Sequence, residues 1–160
     1  MEFREASAEE IPQLAAVRAA FLQETFGAVP EGLPGELERY FRAHLGRDLW
    51  AFVCVQDGEI LSSVLTVPVE KPPNPTFPNG RTGTVLNVYT RPDSRRRGIA
   101  KELMRLTIQR ARQEGLSCLD LKATALGEPL YRTLGFTPDA SGDLPMTLQI
   151  AAPECKTTGR

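Results

Sequence analysis

The stretch TVLNVYTRPDSRRRGIAKELMRLTIQRARQE, residues 84–114, decides the fold of this chain. Seven strand-like residues lead to a turn at Pro92, three arginines and Gly98 follow, and an amphipathic helix begins at Ile99. The first turn of a helix has backbone N–H groups without intrahelical partners, and aligned peptide dipoles place partial positive charge there. This order of elements therefore predicts a site for an anion such as phosphate.

Residues 95–100, with the sequence Arg-Arg-Arg-Gly-Ile-Ala, form the centre of the predicted site, and we call them the anion loop. Gly98 has no side chain between a ligand and the backbone, and Ala100 keeps the second helical position small. The three arginines before Gly98 can donate charge-assisted hydrogen bonds to phosphate oxygens. Together these residues predict that the loop binds a pyrophosphate.

The spelling of the anion loop separates it from two common nucleotide-binding loops. The stretch contains neither G-x-x-x-x-G-K-[ST] nor G-x-G-x-x-G. It fits [R/Q]-x-x-G-x-[G/A] after a strand and a turn, and in that setting it resembles the coenzyme A pyrophosphate loop of the GNAT acetyltransferases. A second segment, LYRTLGF at residues 130–136, is similar to the L-Y-x-x-x-G-F segment of the same family. The two segments follow each other in the family's order.

The resemblance implies a reaction and its residues. Acetyl-CoA would be the co-substrate, no metal would be needed, and a primary amine would attack the thioester directly in a ternary complex. In the family, a bulge in the strand before the loop supplies the N–H that binds the tetrahedral oxyanion. In this sequence the oxyanion donor would come from the backbone around Asn87, Val88 and Tyr89, with Val88 the favoured donor. Val88 and Thr90 would also pair with the pantetheine amides. Tyr131 would protonate the leaving thiolate, since a phenol pKa of about 10 lies near a thiol pKa of about 8.5. The residues expected to bind the coenzyme are Val88, Tyr89, Thr90, Arg95, Arg96, Arg97, Gly98, Ile99 and Ala100.

The general base remains open at this point. Many relatives have a carboxylate on the strand that corresponds to residues 84–90, and this sequence has none there. Asn87, through a bound water, and Glu24, from the first predicted helix, are two candidates, and a solvated surface position is the alternative for Glu24.

Composition limits the classes of function. The 160 residues suffice for one domain, and 19 basic against 20 acidic residues give no general attraction to nucleic acid or to anionic lipid. Cys54, Cys118 and Cys155, with the single histidine His44, support neither a disulfide framework nor a zinc site. The sequence has no apolar run of membrane-spanning length, and its first ten residues are too charged for a signal peptide. We therefore expect a cytoplasmic protein.

Periodicity predicts the other elements. Strands are predicted at residues 1–4, 49–56, 59–67, 84–90, 116–123, 136–139 and 146–150. Helices are predicted at residues 8–24, 36–45, 99–114 and 127–134. In the first helix, the residues that repeat with helical spacing are Ile11, Leu14, Ala15, Val17, Arg18 and Phe21. With the resemblance, this pattern predicts one α/β (α+β) domain of GNAT-like fold over residues 1–150, followed by a polar tail at residues 151–160. Its sheet would be mixed and mostly antiparallel, with about six to seven strands, helices on both faces and a central parallel strand pair splayed for coenzyme A.

Residues 68–83 contain five prolines, too many for a central strand. We consider two interpretations of this segment, a wall or lid over the acceptor site and a plain surface excursion.

Three functions from different classes are compatible with these observations. The first is an acyl-CoA-dependent N-acyltransferase, and the second is a catalytically silent coenzyme A-binding module, suggested by the missing carboxylate. The third, a nucleic-acid binder that uses the three arginines, is disfavoured by the net charge of −1. The acceptor amine, small molecule or peptide, is not determined, and a homodimer formed through the final strands is possible.

Overall fold

The computed structural model describes residues 1–151, which form a five-stranded sheet with helices on both faces. The predictions for residues 152–160 lie outside the described residues. The strands are β1 (Glu2–Glu5), β2 (Trp50–Gln56), β3 (Glu59–Glu70), β4 (Arg81–Thr90) and β5 (Cys118–Leu121). The helices are α1 (Ile11–Phe26), α2 (Leu33–His44), α3 (Ile99–Gln113) and α4 (Glu128–Thr133). The strands lie in chain order, antiparallel except for the parallel pair β4 and β5. The predicted mixed, mostly antiparallel sheet is thus confirmed.

The core has two parts, one on each face of the sheet. Alternate residues of β2 face opposite sides, and both sides are apolar because helices cover both. The α1 and α2 side buries Leu14, Val17, Phe41, Val53, Leu65 and Tyr89, among others. The α3 side buries Phe52, Cys54, Val64, Val85, Ile99, Leu103 and Met104, and the half-buried Val88, Tyr131 and Phe136 pack against them. The second part matters for function because it joins β4, the start of α3 and α4.

Strand β4 contains a bulge and then separates from β5. Its register with β3 shifts between Leu65↔Asn87 and Thr66↔Val85, so Leu86 is an extra residue. On the other side, β5 pairs with β4 only from Thr82 to Val85. From Leu86 to Thr90, therefore, β4 has a strand partner on one side only within residues 1–151. This is the predicted splayed parallel pair, but it lies at the end of the sheet and not at its centre, because β5 is the last of the five strands.

The proline-rich segment is shorter than predicted and lies at the other end of the sheet from the anion loop. Strand β3 continues to Glu70, and Pro68 is tolerated because the pairing of β2 with β3 ends at Thr66 and leaves that edge free. The remaining loop closes with a hydrogen bond from the Lys71 N–H to the Gly80 carbonyl, at 2.7 Å. Asn79 Nδ2 donates to the carbonyl of Gly115 at 2.7 Å, beyond the C-terminal end of α3. The segment leads into the start of β4 and the anion loop follows the end of that strand, so this position favours the surface excursion over the lid.

The predicted final hairpin, residues 136–139 with residues 146–150, is not formed. Residues 136–151 contain no strand, so the sheet has five strands instead of six or seven. Four apolar residues of this segment are 79–88% exposed; they are Leu144, Met146, Leu148 and Ile150. Their alternation alone does not produce a strand, since residues 144–150 have no strand partner among residues 1–151 although the outer edge of β5 is free.

Gly80 allows a test of how the proline-rich loop closes between Lys71 and Gly80. Its φ is +70°, and a Cβ at this position would overlap the carbonyl oxygen of Lys71. We expect Gly80→Ala to lower the free energy of unfolding by about 2–4 kcal/mol, since backbone strain and overpacking act together. Gly35→Ala is the matched control, because a Cβ there meets nothing within 4 Å and the helical backbone of α2 suits alanine. Urea denaturation of both variants measures the difference, and equal stabilities would contradict the described closure of the loop.

Candidate active site

The anion loop ends in a helix start with free backbone donors. Gly98 precedes α3 with φ of +76°, Arg96 has φ of +64°, and no side chain caps the helix. Within the described part of the chain, the N–H groups of residues 96–101 donate no hydrogen bond. A Cβ on Gly98 would meet nothing within 4 Å, so the backbone is open to a ligand there. Successive N–H groups around left-handed residues at a helix N-terminus form an anion-binding concavity.

The three arginines of the loop differ in their surroundings. Arg95 turns toward α1, where its Nη2 lies 2.8 Å from Glu24 Oε2, and its Nε donates to the carbonyl of Thr90 at 2.8 Å. Arg96 and Arg97 are exposed and have neither a hydrogen bond nor an ion pair with residues 1–151. They are therefore the two arginines available to phosphate oxygens, while Arg95 connects the loop to the first helix.

Glu24, the candidate base on α1, is held by two donors. Arg95 is the first, and the hydroxyl of Tyr89 is the second, donating to Glu24 Oε1 at 2.9 Å. The ion pair with Arg95, with the hydrogen bond from Tyr89, lowers the pKa of Glu24, while burial and Glu24 itself raise the pKa of Tyr89. A carboxylate stabilised in its charged form is a weak proton acceptor, so this geometry favours a connecting role for Glu24.

The backbone groups of Val88 and Thr90 face the open edge of β4. The residues next to them face β3: the Arg91 N–H donates to the carbonyl of Leu61, and the Tyr89 carbonyl accepts a hydrogen bond from the Ser62 hydroxyl. Backbone groups alternate in direction along a strand. Val88 and Thr90 consequently direct theirs away from β3, and the bond from Arg95 to the Thr90 carbonyl agrees with this direction.

The side chain of Asn87 holds the bulge of β4 in place through hydrogen bonds with β3 and α1. Its side chain is 1% exposed, and its Nδ2 donates to the carbonyl and the hydroxyl of Ser63 at 3.2 and 3.1 Å. Its Oδ1 accepts from Arg18 Nη1 at 3.3 Å. Both ends of the amide have protein partners, which supports a positioning role for Asn87 and gives no support to its binding a relay water.

Tyr131 lies on α4, and its ring packs against the same buried cluster as Val88 and Ile99. Its ring meets Phe136 edge to face, with centroids 6.0 Å apart, and lines a cavity of about 390 Å³ beside β5. Its hydroxyl has no hydrogen-bond partner among the described residues, and burial raises its pKa. The structure therefore brings a protonated phenol and the free edge of β4 to one side of the sheet.

Arg18 is the residue of the site that sequence reasoning missed. It lies on α1, and besides Asn87 it donates to the carbonyl of Leu86, the bulged residue, at 3.3 Å. Its guanidinium also covers the ring of Phe21, 5.4 Å from the centroid. The signal was present, because Arg18 falls on the helical stripe that is otherwise apolar.

The remaining candidates for metal or acid–base chemistry lie elsewhere. His44 Nδ1 is 2.7 Å from Asp48 Oδ1, and the His44 ring packs on Tyr40 of α2. Cys54 and Cys118 are free thiols, and burial raises the pKa of Cys54. Residues 1–151 contain no group of three or more possible metal ligands and no helix that could cross a bilayer.

A sheet that opens beside a bulged strand, directly before a helix start with unpaired N–H groups, defines a site for an extended ligand with an anionic end. This chain belongs to the GNAT family of acetyltransferases, whose family model matches residues 14–136. The resemblance inferred from residues 95–100 and 130–136 is thereby confirmed. GNAT acetyltransferases are transferases that use an acyl-coenzyme A.

Solved structures agree with the family assignment. A predicted acetyltransferase from Clostridium acetobutylicum, crystallised with acetyl-CoA, is 28% identical with a TM-score of 0.80, covering 91% of this chain and 95% of that chain. A GCN5-related N-acetyltransferase from Ralstonia eutropha JMP134 is 26% identical with a TM-score of 0.73, covering 91% and 97%. A ribosomal-protein-alanine N-acetyltransferase from Brucella melitensis biovar Abortus 2308 is 22% identical with a TM-score of 0.69, covering 92% and 100%, and shares the fold. No curated protein sequence matches this chain.

Proposed function

We propose that this chain transfers an acetyl group from acetyl-CoA to a primary amine by direct attack in a ternary complex. The observation that carries the proposal is the open edge of β4 from Leu86 to Thr90, directly before the free N–H groups at the start of α3. A coenzyme with its pyrophosphate on the anion loop would extend its pantetheine arm along that edge, since an extended amide chain adds to a free strand edge.

Each part of the coenzyme has a protein group available to it. Backbone N–H groups at residues 96–101, with Arg96 and Arg97, suit the pyrophosphate. The outward-facing backbone of Val88 and Thr90 suits the pantetheine amides. Because the Arg95 side chain already occupies the Thr90 carbonyl, that pairing requires either the Thr90 N–H alone or a shift of Arg95.

The chemical step needs an oxyanion donor and an acid. The amine nitrogen attacks the thioester carbonyl carbon, and the resulting oxyanion would accept a hydrogen bond from the Val88 N–H. When the tetrahedral intermediate collapses, the C–S bond breaks and the sulfur takes the proton from the Tyr131 hydroxyl. The new amide nitrogen loses its surplus proton to water, and water restores the proton to Tyr131.

The acceptor must arrive as a free base. Of the two candidates for a general base, Glu24 is ion-paired to Arg95 and Asn87 is a neutral amide with both ends bonded. We therefore propose that bulk water removes the amine's proton before attack. The rate would then depend on the fraction of acceptor that is unprotonated.

This mechanism predicts a one-sided pH profile. We expect kcat/KM to rise about tenfold per pH unit up to the pKa of the acceptor amine and to stay level to about pH 10. The absence of a decline at high pH follows from Tyr131, because a phenol whose pKa is raised keeps its proton to a higher pH. The measurement is thiol release from acetyl-CoA, corrected for uncatalysed hydrolysis at each pH. A decline between pH 8 and pH 10, with the protein still folded, would contradict Tyr131 as the acid.

The proposal itself is tested by two measurements on the purified chain. Calorimetry determines acetyl-CoA binding, and a panel of primary amines with detection of free thiol determines turnover. We expect micromolar binding, on the order of that of typical enzymes for their substrates, together with turnover of at least one amine. Binding without any turnover would instead support the silent coenzyme A-binding module, and steeply salt-dependent binding of DNA or RNA would support the nucleic-acid binder.

A further inference from the structure

Arg18 is a half-buried cation without a counter-ion. Among residues 1–151 it forms no ion pair, and both of its hydrogen bonds, to the Leu86 carbonyl and Asn87 Oδ1, are long at 3.3 Å. Its surroundings are apolar on one side, where Phe21 lies under the guanidinium. Burial lowers its pKa. Most other half-buried or exposed arginines have a carboxylate partner; these include Arg4, Arg42, Arg91, Arg95, Arg105, Arg110 and Arg132.

An unpaired charge at this position lowers the stability of the fold unless a ligand pairs with it. Removing a charge from water without a partner is unfavourable, and an apolar residue of similar size would pack at this place in α1. Two neutral, long hydrogen bonds compensate little of this cost. A ligand that brings a negative charge would compensate it better.

The unused donors of Arg18 have the geometry for that ligand. Both hydrogen bonds come from Nη1, so Nε and Nη2 have three N–H groups without a partner in the described chain. A planar guanidinium edge binds a carboxylate through two parallel hydrogen bonds. Arg18 also donates to the carbonyl of Leu86, two residues before Val88 on β4, so a carboxylate bound to Arg18 would lie near the proposed thioester position.

We propose that Arg18 binds a carboxylate of the acceptor, and that the acceptor is a small amino acid in which the amine lies a few bonds from that carboxylate. This inference rests on the proposed transfer to an amine, and it narrows the acceptor class. A peptide N-terminus lacks a carboxylate at that distance unless its first side chain provides one. Cationic polyamines are disfavoured by the same charge.

The alternative for Arg18 is a purely positioning role through Asn87. In that case a substitution of Arg18 would lower kcat/KM equally for every acceptor, because all of them react beside the same bulge. A carboxylate-binding role instead affects only acceptors that have the carboxylate. The two roles are therefore separable by matched acceptor pairs.

The experiment compares each acid with its own amide. The panel consists of α-amino acids, β-alanine and 4-aminobutyrate, each with its carboxamide twin, assayed with the wild-type chain, Arg18→Gln and Arg18→Lys. We expect kcat/KM of the best acid to exceed that of its amide by about 10- to 100-fold in the wild type, as for a charged hydrogen-bonded pair. In Arg18→Gln the preference should vanish through a rise in KM for the acid, and Arg18→Lys should retain part of it.

Two controls separate this inference from the proposed function. The Kd of acetyl-CoA should stay within about twofold in Arg18→Gln, and the melting temperature should not fall, because an unpaired buried charge is removed. Calorimetry of the same acids with the protein–CoA complex measures their binding without any acetyl transfer. Acids that bind through Arg18 without being acetylated would refute the proposed function alone. The carboxylate site is overturned if no acid binds, if acid and amide are used equally, or if Arg18→Gln slows both equally.

Discussion

Replacing Tyr131 by phenylalanine is expected to lower kcat by about 10²- to 10⁴-fold, the usual contribution of a positioned general acid. The ring contact with Phe136 and the packing beside Val88 do not involve the hydroxyl, so the fold should be unchanged. The hydroxyl has no partner in the described chain, and its loss leaves no buried group unsatisfied. The affinity for acetyl-CoA should therefore stay within about twofold.

Steady-state kinetics and calorimetry on the same preparation separate these two effects. Thr133→Val is the control, because it removes an exposed hydroxyl from the same helix, where the Thr133 side chain donates to the carbonyl of Leu130. It should leave both kcat and Kd unchanged. If Tyr131→Phe keeps wild-type kcat while thiol release is rate-limiting, another group or water protonates the thiolate, and the assignment of Tyr131 is wrong.

The second large effect is expected at Gly98. A residue with a Cβ at φ of +76° is strained by about 1–2 kcal/mol, and the strain is relieved by rotation of the neighbouring peptides. Those peptides carry the N–H groups proposed to bind the pyrophosphate. We therefore expect Gly98→Ala to weaken acetyl-CoA binding by about tenfold or more, with kcat at saturation little changed.

Gly46 offers a matched control for the strain. Its φ is +80°, a Cβ there also meets nothing within 4 Å, and it lies between α2 and β2. Gly46→Ala should cost a similar free energy of unfolding and leave the Kd of acetyl-CoA unchanged. If both variants weaken binding equally, general destabilisation is the cause, and the anion loop loses its special role.

The parts of the fold that the sequence predicted are those encoded by neighbouring residues. The helical stripe after Gly98, the two strands predicted at residues 49–56 and 59–67, and the strand before the anion loop each depend on local spacing, and each is found near the predicted place. Local patterns also sufficed to identify the family, because its two motifs are short and continuous.

The errors concern partners that are distant in the sequence. Residues 146–150 have the alternation of a strand, but a strand forms only where an edge accepts it, and the sequence does not show which edge is free. For the proline-rich segment the sequence left two interpretations open, because the hydrogen bond that fixes its position joins Asn79 and Gly115, which are 36 residues apart.

The same reason explains what was missed within the site. Glu24 and Arg95 are 71 residues apart, and Arg18 and Asn87 are 69 apart. Neither pair has a local pattern that would connect its members. An arginine on an otherwise apolar helical stripe is nevertheless a visible anomaly, and it indicates a buried charge that needs a partner.

The most direct test of the account is the response of the backbone amides to acetyl-CoA, followed by two-dimensional ¹H–¹⁵N NMR on the full chain. The account predicts that the largest shifts occur at Gly98 and the first turn of α3, with a second group at Val88 and Thr90 on the free edge of β4. A titration without shifts, or with shifts confined to the far side of β5, would contradict it.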